Sequence, residues 1–113
     1  MLDDLTDRIV AFRDERDWKQ YHSPRNLAAS ISIEAAELLE LFQWSSDESI
    51  ARDVEAQRVD LERELADILI YCLLLARDTG VDPAAAVIAK LEENALKYPA
   101  AKARGSRAKY TQL

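Results

Sequence analysis

Two carboxylate pairs, Glu34-Ala35-Ala36-Glu37 and Glu64-Leu65-Ala66-Asp67, lie in the two most apolar stretches of this chain. Charge in such a setting is costly unless something binds it. Successive residues of an α-helix are about 100° apart, so acids three residues apart share a face and can aim at one point. With Glu34 at zero, Glu37 falls near about 300°, and Leu38 and Leu41 fall near about 40° and 340°. The second pair repeats this geometry, with Ile68 and Tyr71 in the places of the two leucines. Two helices thus present the same mixed face of acid and hydrocarbon.

Four carboxylates make an all-oxygen donor set, which favours Mg²⁺, with Mn²⁺ as a substitute, over softer metals. The single histidine, His22, argues against zinc and against a di-iron bundle, which needs Glu-x-x-His on two helices. Glu-x-x-Glu pairs are common on solvated helix faces. Here the acids interrupt apolar runs, none has a Lys or Arg four residues on, and the arrangement occurs twice. Glu40 and Asp60, one turn from Glu37 and Glu64, either extend the cluster or sit as surface charges.

From Lys97 onward the chain has five cations and no acid, so the rest of a chain of net charge −6 carries −11. Metal-binding carboxylates together with Lys and Arg are the equipment of phosphate-ester chemistry: the metal polarises a phosphoryl group, and the cations hold further phosphates. Arg104, Arg107 and Lys109 supply such cations, as do Lys90 and Lys97, which share a helical face with Asn94. A solvated basic end is the simpler account of the same residues. Trp18 and Trp44 flank the segment bearing the first pair, and each is either a platform for a base or a packing anchor. Two glycines exclude a glycine-rich phosphate loop, and a lone histidine with no nucleophile elbow excludes Ser-His-Asp hydrolysis.

These residues require helices to position them. Leu5, Ile9 and Phe12 form one apolar stripe between Leu2 and about Arg16. Ser23-Pro24 is a helix start, and the pattern predicts a helix to about Trp44. After the polar break Ser45–Ser49, a helical pattern resumes from about Ile50 to Gly80, apolar on all sides beyond Leu61. Asp82-Pro83 starts another helix, ending near Lys97, and Pro99 follows it. No strand pattern competes.

The reading is an all-α bundle of four to five helices in a single domain, residues 1–113, with a basic C-terminal tail from about 98 to 113. Helices apolar all round leave more hydrocarbon than a chain this short can cover, so a homo-oligomer with a shared helical core is expected, at least a dimer. The acidic balance disfavours a nucleic-acid polymer or an anionic membrane as partner. Cys72 alone permits no intrachain disulfide, and the acidic start lacks the features of a signal peptide, so a cytoplasmic location is expected.

The same strings carry a family resemblance. Glu34-x-x-Glu37 followed by Glu64-x-x-Asp67 resembles the signature of the all-α nucleoside triphosphate pyrophosphohydrolases, the MazG-like superfamily. Five further strings are similar to its dCTP pyrophosphatase branch: Phe12 to Trp18, His22-x-Pro24-Arg25-Asn26-Leu27, Glu37 to Trp44, Glu64 to Tyr71, and Lys97-Tyr98-Pro99 through Lys109-Tyr110-Thr111. The resemblance implies hydrolysis of a (deoxy)nucleoside triphosphate, dCTP or a modified pyrimidine relative, to the monophosphate and pyrophosphate. It implies Mg²⁺ held by Glu34, Glu37, Glu64 and Asp67, one of which or a neighbour orients the attacking water. Trp18 and Trp44 would line a base pocket, with Tyr71 nearby. Lys90, Asn94, Lys97, Tyr98 and the tail from Arg104 to Lys109 would hold sugar and phosphates. The chain departs from animal members at Ile9, where they carry histidine near the base, and at Ile33 and Ala36, where they carry glycine. A broader or dUTP-directed hydrolase of the same fold is the alternative enzyme, and a helical metal-binding or oligomerisation module without turnover is the alternative outside enzymes.

Overall fold

The computed structural model describes residues 2–113. They form α1 (Leu2–Glu15), a 3-10 turn at Lys19–Tyr21, α2 (Pro24–Glu40), α3 (Ile50–Ala56), α4 (Arg58–Thr79), α5 (Pro83–Lys97), α6 (Ala100–Ala103) and a second 3-10 turn at Tyr110–Gln112. No strand occurs among the described residues, as the sequence pattern predicts. The chain separates into two compact units, one ending at Gly80 and one spanning Val81–Leu113.

Local chemistry accounts for most of the boundaries. Ser23 accepts a hydrogen bond from the Asn26 amide at 3.1 Å, and Pro24 occupies the first helical turn, where its missing N–H costs nothing. Asp82 and Pro83 start α5 in the same way, the Asp82 carboxylate accepting from the Ala85 amide at 3.1 Å. Gly80 ends α4 in the left-handed region at φ 73°, a conformation glycine adopts without penalty.

In the first unit α2 packs chiefly on α4, while α1 and α3 pack on α4 from elsewhere. The Gln57 side chain, at the start of α4, donates to the Leu41 carbonyl at the end of α2. His22, just before α2, meets Tyr71 in the second half of α4. The two helices are therefore antiparallel. Their shared core centres on Leu27, Leu73 and Leu74, all buried. Ile33, Leu39, Leu65 and Leu69 on the same helices remain exposed, at 59, 64, 44 and 58%.

Three boundaries differ from the periodicity. α2 ends at Glu40 rather than Trp44, because Leu41, Phe42 and Ser45 close tight turns onto Leu38, Leu39 and Phe42. The segment expected as one helix from Ile50 divides at Gln57, whose φ of −111° and ψ of 26° lie off the helical values while its side chain reaches back to Leu41. Six α-helices result among the described residues rather than four or five, the last a single turn after Pro99.

Arg13 on α1 is 2% exposed and donates through both terminal nitrogens to the two Asp78 oxygens of α4, at 2.7 and 2.8 Å. This bidentate pair is the charged tie between α1 and α4 in the apolar interior. Removing one partner leaves an uncompensated buried charge. Arg13→Ala or Asp78→Ala should each destabilise the fold by about 3–5 kcal/mol, and the double variant should lose much less than the sum; chemical denaturation of all three measures this, and additive losses would show that the pair is not coupled.

Candidate functional site

The antiparallel seam of α2 and α4 brings the acid pairs together. One carboxylate oxygen each of Glu34, Glu37 and Glu64 lies within 4.8 Å of the other two. Glu34 and Glu64 are half-buried and Glu37 is exposed. One oxygen of Glu34 and one of Glu64, both Oε2, are buried with no hydrogen-bond partner. Asp67, one turn beyond Glu64, stands outside this mutually close set, although its charge acts on both Glu34 and Glu64. The packing therefore assembles three of the four expected ligands directly, with Asp67 beside them.

The electrostatics follow from crowding like charges at a partly dry seam. Burial first, then the Glu64 and Glu37 carboxylates, push Glu34 up from 4.5 to about 7. Glu64 also moves upward, chiefly through burial and the Glu37 charge, while its contact with Glu34 works the other way. Acids crowded together in this way hold a proton more tightly than free carboxylates do. Two orphaned buried oxygens and a third acid within ligand reach fit a hard divalent cation, which would take the place of that proton.

Beside the cluster is a cavity of about 270 Å³. Asp67 and Tyr71 of α4 line it, and the Tyr71 hydroxyl is raised by burial and then by the charges of Glu34, Asp67 and Glu37. Asp67 and Tyr71 thus link the cavity to the carboxylates. Trp18, Phe12 and Ile9 supply aromatic and aliphatic surface, and Ile70 and Leu74 complete the α4 side. Trp18 is set by the turn after α1: Asp17 takes φ 53°, and the Trp18 amide donates back to the Arg13 carbonyl at 3.2 Å. The Phe12 ring meets the Trp18 ring edge-on, with centroids 5.9 Å apart, and the Arg16 guanidinium stacks 3.6 Å from the Phe12 centroid.

Not every expected residue joins this cavity. Trp44 lies in the turn after α2, 90% exposed, and does not line it. In the second unit, Lys90 and Lys97 both pair with Glu93, at 3.3 and 3.1 Å, so part of the cationic face is already neutralised. Tyr98 follows α5 and meets Tyr110 edge-on, and Lys97 lies 5.1 Å from the Tyr110 centroid. Asn94 is half-buried, and its carbonyl accepts from the Tyr98 amide, while Arg104 and Lys109 are exposed. Arg13 and His22 line the Trp18 cavity but were not singled out by spacing. No spacing argument marks either residue, but both stand in strings that carry the family resemblance, Arg13 in Phe12 to Trp18 and His22 in His22-x-Pro24-Arg25-Asn26-Leu27.

A raised folded-state carboxyl pKa makes the protonated form the stable one. Between the unfolded value near 4.5 and about 7, the folded Glu34 keeps a proton that the unfolded chain has released. Metal-free protein should therefore lose stability as pH rises through that window, and Mg²⁺ should raise Tm more at pH 8 than at pH 5. Scanning calorimetry with and without the cation measures both slopes. A cation-induced shift that does not vary with pH would place the metal elsewhere.

Known proteins resemble the chain over nearly its whole length. Residues 29–113 match the model of the MazG-like family. The chain is 43% identical over 114 aligned residues to a rat protein named dCTP pyrophosphatase 1, covering 99% of this chain and 67% of the rat protein. The human protein of that name is 42% identical over the same length, with the same coverage. Among solved structures, a pyrophosphatase from Archaeoglobus fulgidus superposes with a TM-score of 0.84 at 47% identity, covering 86% of this chain and 91% of the archaeal one. With the family model spanning most of the chain and the fold shared at this level of identity, the chain belongs to the MazG-like family.

Proposed function

We propose that the protein is a nucleoside triphosphate pyrophosphohydrolase, Mg²⁺-dependent, that acts on dCTP or a modified pyrimidine deoxynucleotide and so keeps non-standard nucleotides from the pool used for DNA. The observation that carries this reading is an adjacency: a carboxylate cluster that could hold a metal neighbours a Trp18-lined cavity of about 270 Å³, with Asp67 as the link between them. The names of the similar proteins, dCTP pyrophosphatase and pyrophosphatase, support the same reaction class.

Glu34, Glu37 and Glu64, with Asp67 beside them, would hold the cation, which when bound supplies charge neutralisation at the phosphates and a more acidic water. The chain's own residues provide the rest. Water attacks the α-phosphorus, a P–O bond forms, and the bond to the bridging oxygen breaks to release pyrophosphate. A carboxylate of the cluster orients that water and takes its proton. Trp18 stacks the base and excludes solvent from one of its faces. Lys90, Asn94, Lys97, Tyr98, Arg104 and Lys109 are assigned to sugar and phosphate contacts on their charge and on the motifs in which they stand.

The second reading, a broader or dUTP-directed substrate range, is favoured by Ile9, which gives the cavity a wall with no hydrogen-bonding group. Residues 1–113 act in either case as one enzymatic domain, in the cytoplasm. The exposed leucines and isoleucines of α2 and α4 support a homo-oligomer, and Trp44, too exposed to serve its own cavity, gains cover in such an assembly.

Incubation with each common and 5-modified triphosphate should give monophosphate and pyrophosphate only when Mg²⁺ is present, whereas release of orthophosphate and a diphosphate would refute the mechanism. Glu64→Gln and Asp67→Asn should each lower kcat by at least 100-fold while far-UV circular dichroism stays helical. Light scattering at micromolar concentration should report a mass of two or four chains, and a mass of one chain would remove the oligomer from the proposal.

A further inference from the structure

Asp17, between α1 and the turn at Lys19–Tyr21, is the one residue other than glycine among those described whose φ is positive, at 53°. Aspartate enters the left-handed region more readily than most residues, yet the conformation still costs it free energy. The bonds around it show what holds it there. Its amide donates to the Asp14 carbonyl at 3.1 Å, and the Trp18 amide donates to the Arg13 carbonyl at 3.2 Å, closing the end of α1. From the other side a single nitrogen, Nε2 of Gln20, donates to the Asp17 carbonyl at 2.9 Å and to the Asp17 carboxylate at 3.1 Å. Gln20 thus grips both the backbone and the side chain of the residue whose conformation needs support.

The conformation of Asp17 sets the direction of Trp18. With Asp17 in the right-handed region the backbone would run on from α1, and the Trp18 side chain would leave it in another direction. Packing does not fix that ring on every side: it is 45% exposed, and it meets Phe12 edge-on. We propose that Asp17 and Gln20 are positioning residues for the substrate base: the Gln20 amide clamps Asp17 in its left-handed conformation, and that conformation holds the Trp18 ring at the cavity wall. This rests on the nucleotide reading of the site and deepens it. A ring already in place binds a base without first having to be ordered. The carboxylate cluster is built by α2 and α4, away from this turn, so the clamp acts on affinity for the base and not on hydrolysis.

In Trp44→Phe protein Trp18 is the only tryptophan, and the decay of its fluorescence anisotropy reads the freedom of the ring with no ligand present. Asp17→Val puts a β-branched residue where the left-handed region excludes one, and Gln20→Leu removes both bonds. Each should add a fast component to that decay, the larger one in Asp17→Val. Asp17→Asn tolerates the left-handed region, keeps an acceptor for Gln20, and should add none. An unchanged decay in both disruptive variants overturns the proposal. In turnover of dCTP with Trp44 in place, Asp17→Val should raise KM at least about fivefold, the scale of a weakened base stack, with kcat within about twofold. Asp17→Asn should restore the wild-type KM. Base-free deoxyribose 5-triphosphate should show one KM in wild type and Asp17→Val, and equal weakening of both substrates would make the turn merely structural. Should Asp17→Val fail to fold, Gln20→Leu on the exposed turn carries the same readings. Absence of pyrophosphate release from wild-type protein would sink the enzymatic reading, while the clamp would still stand or fall on the anisotropy.

Discussion

The antiparallel packing of α2 on α4 is the constraint from which the rest of the first unit follows. Burying Leu27 against Leu73 and Leu74 is favourable wherever the two helices meet, but in this register it also sets Glu34 and Glu37 opposite Glu64. Like charges at a half-dry seam repel, and the chain carries no Lys or Arg within the cluster to relieve them. A proton on Glu34 is the relief available to the chain by itself. A divalent cation would relieve all three acids at once, and the apolar packing of the helices and the convergence of the acids are two consequences of one register.

The opposite end of the same seam is organised by a different charge arrangement. Arg13 and Asp78 neutralise each other in the interior, in a bidentate geometry that satisfies both carboxylate oxygens. The pair ties the C-terminal end of α1 to that of α4, and the left-handed Asp17 immediately after α1 turns the chain so that Trp18 faces the cavity. Acids with no basic partner crowd one end, and an arginine and an aspartate neutralise each other at the other. Between them lie Asp67 and Tyr71, which belong to both environments.

Much of this was legible in the chain because helix propensity, capping and periodicity are local. Ser23-Pro24, Asp82-Pro83 and Gly80 act through bonds to residues no more than a few positions away, and each marks its boundary in the structure. The failures came where a distant group intervened. Gln57 bends the chain between α3 and α4 by reaching the Leu41 carbonyl, and the tight turns after Glu40 end α2 one turn early. Neither event has a signature in hydrophobic spacing, because a glutamine reads alike whether its amide meets water or a carbonyl sixteen residues away.

The residue types and their spacing determined that this chain is helical, that two helices each carry an acid pair on an apolar face, and that the donor set is one for a hard cation. They could not determine which acids meet. Only the tertiary structure decided that Glu34, Glu37 and Glu64 converge while Asp67 turns to the cavity wall, and that Trp18 joins that wall while Trp44 stands in solvent. The physical reason is that periodicity fixes the direction of a side chain around its own helix, whereas the register between helices is set by how their apolar surfaces interlock. That interlocking also brought Arg13 of α1 and His22, just before α2, to one cavity.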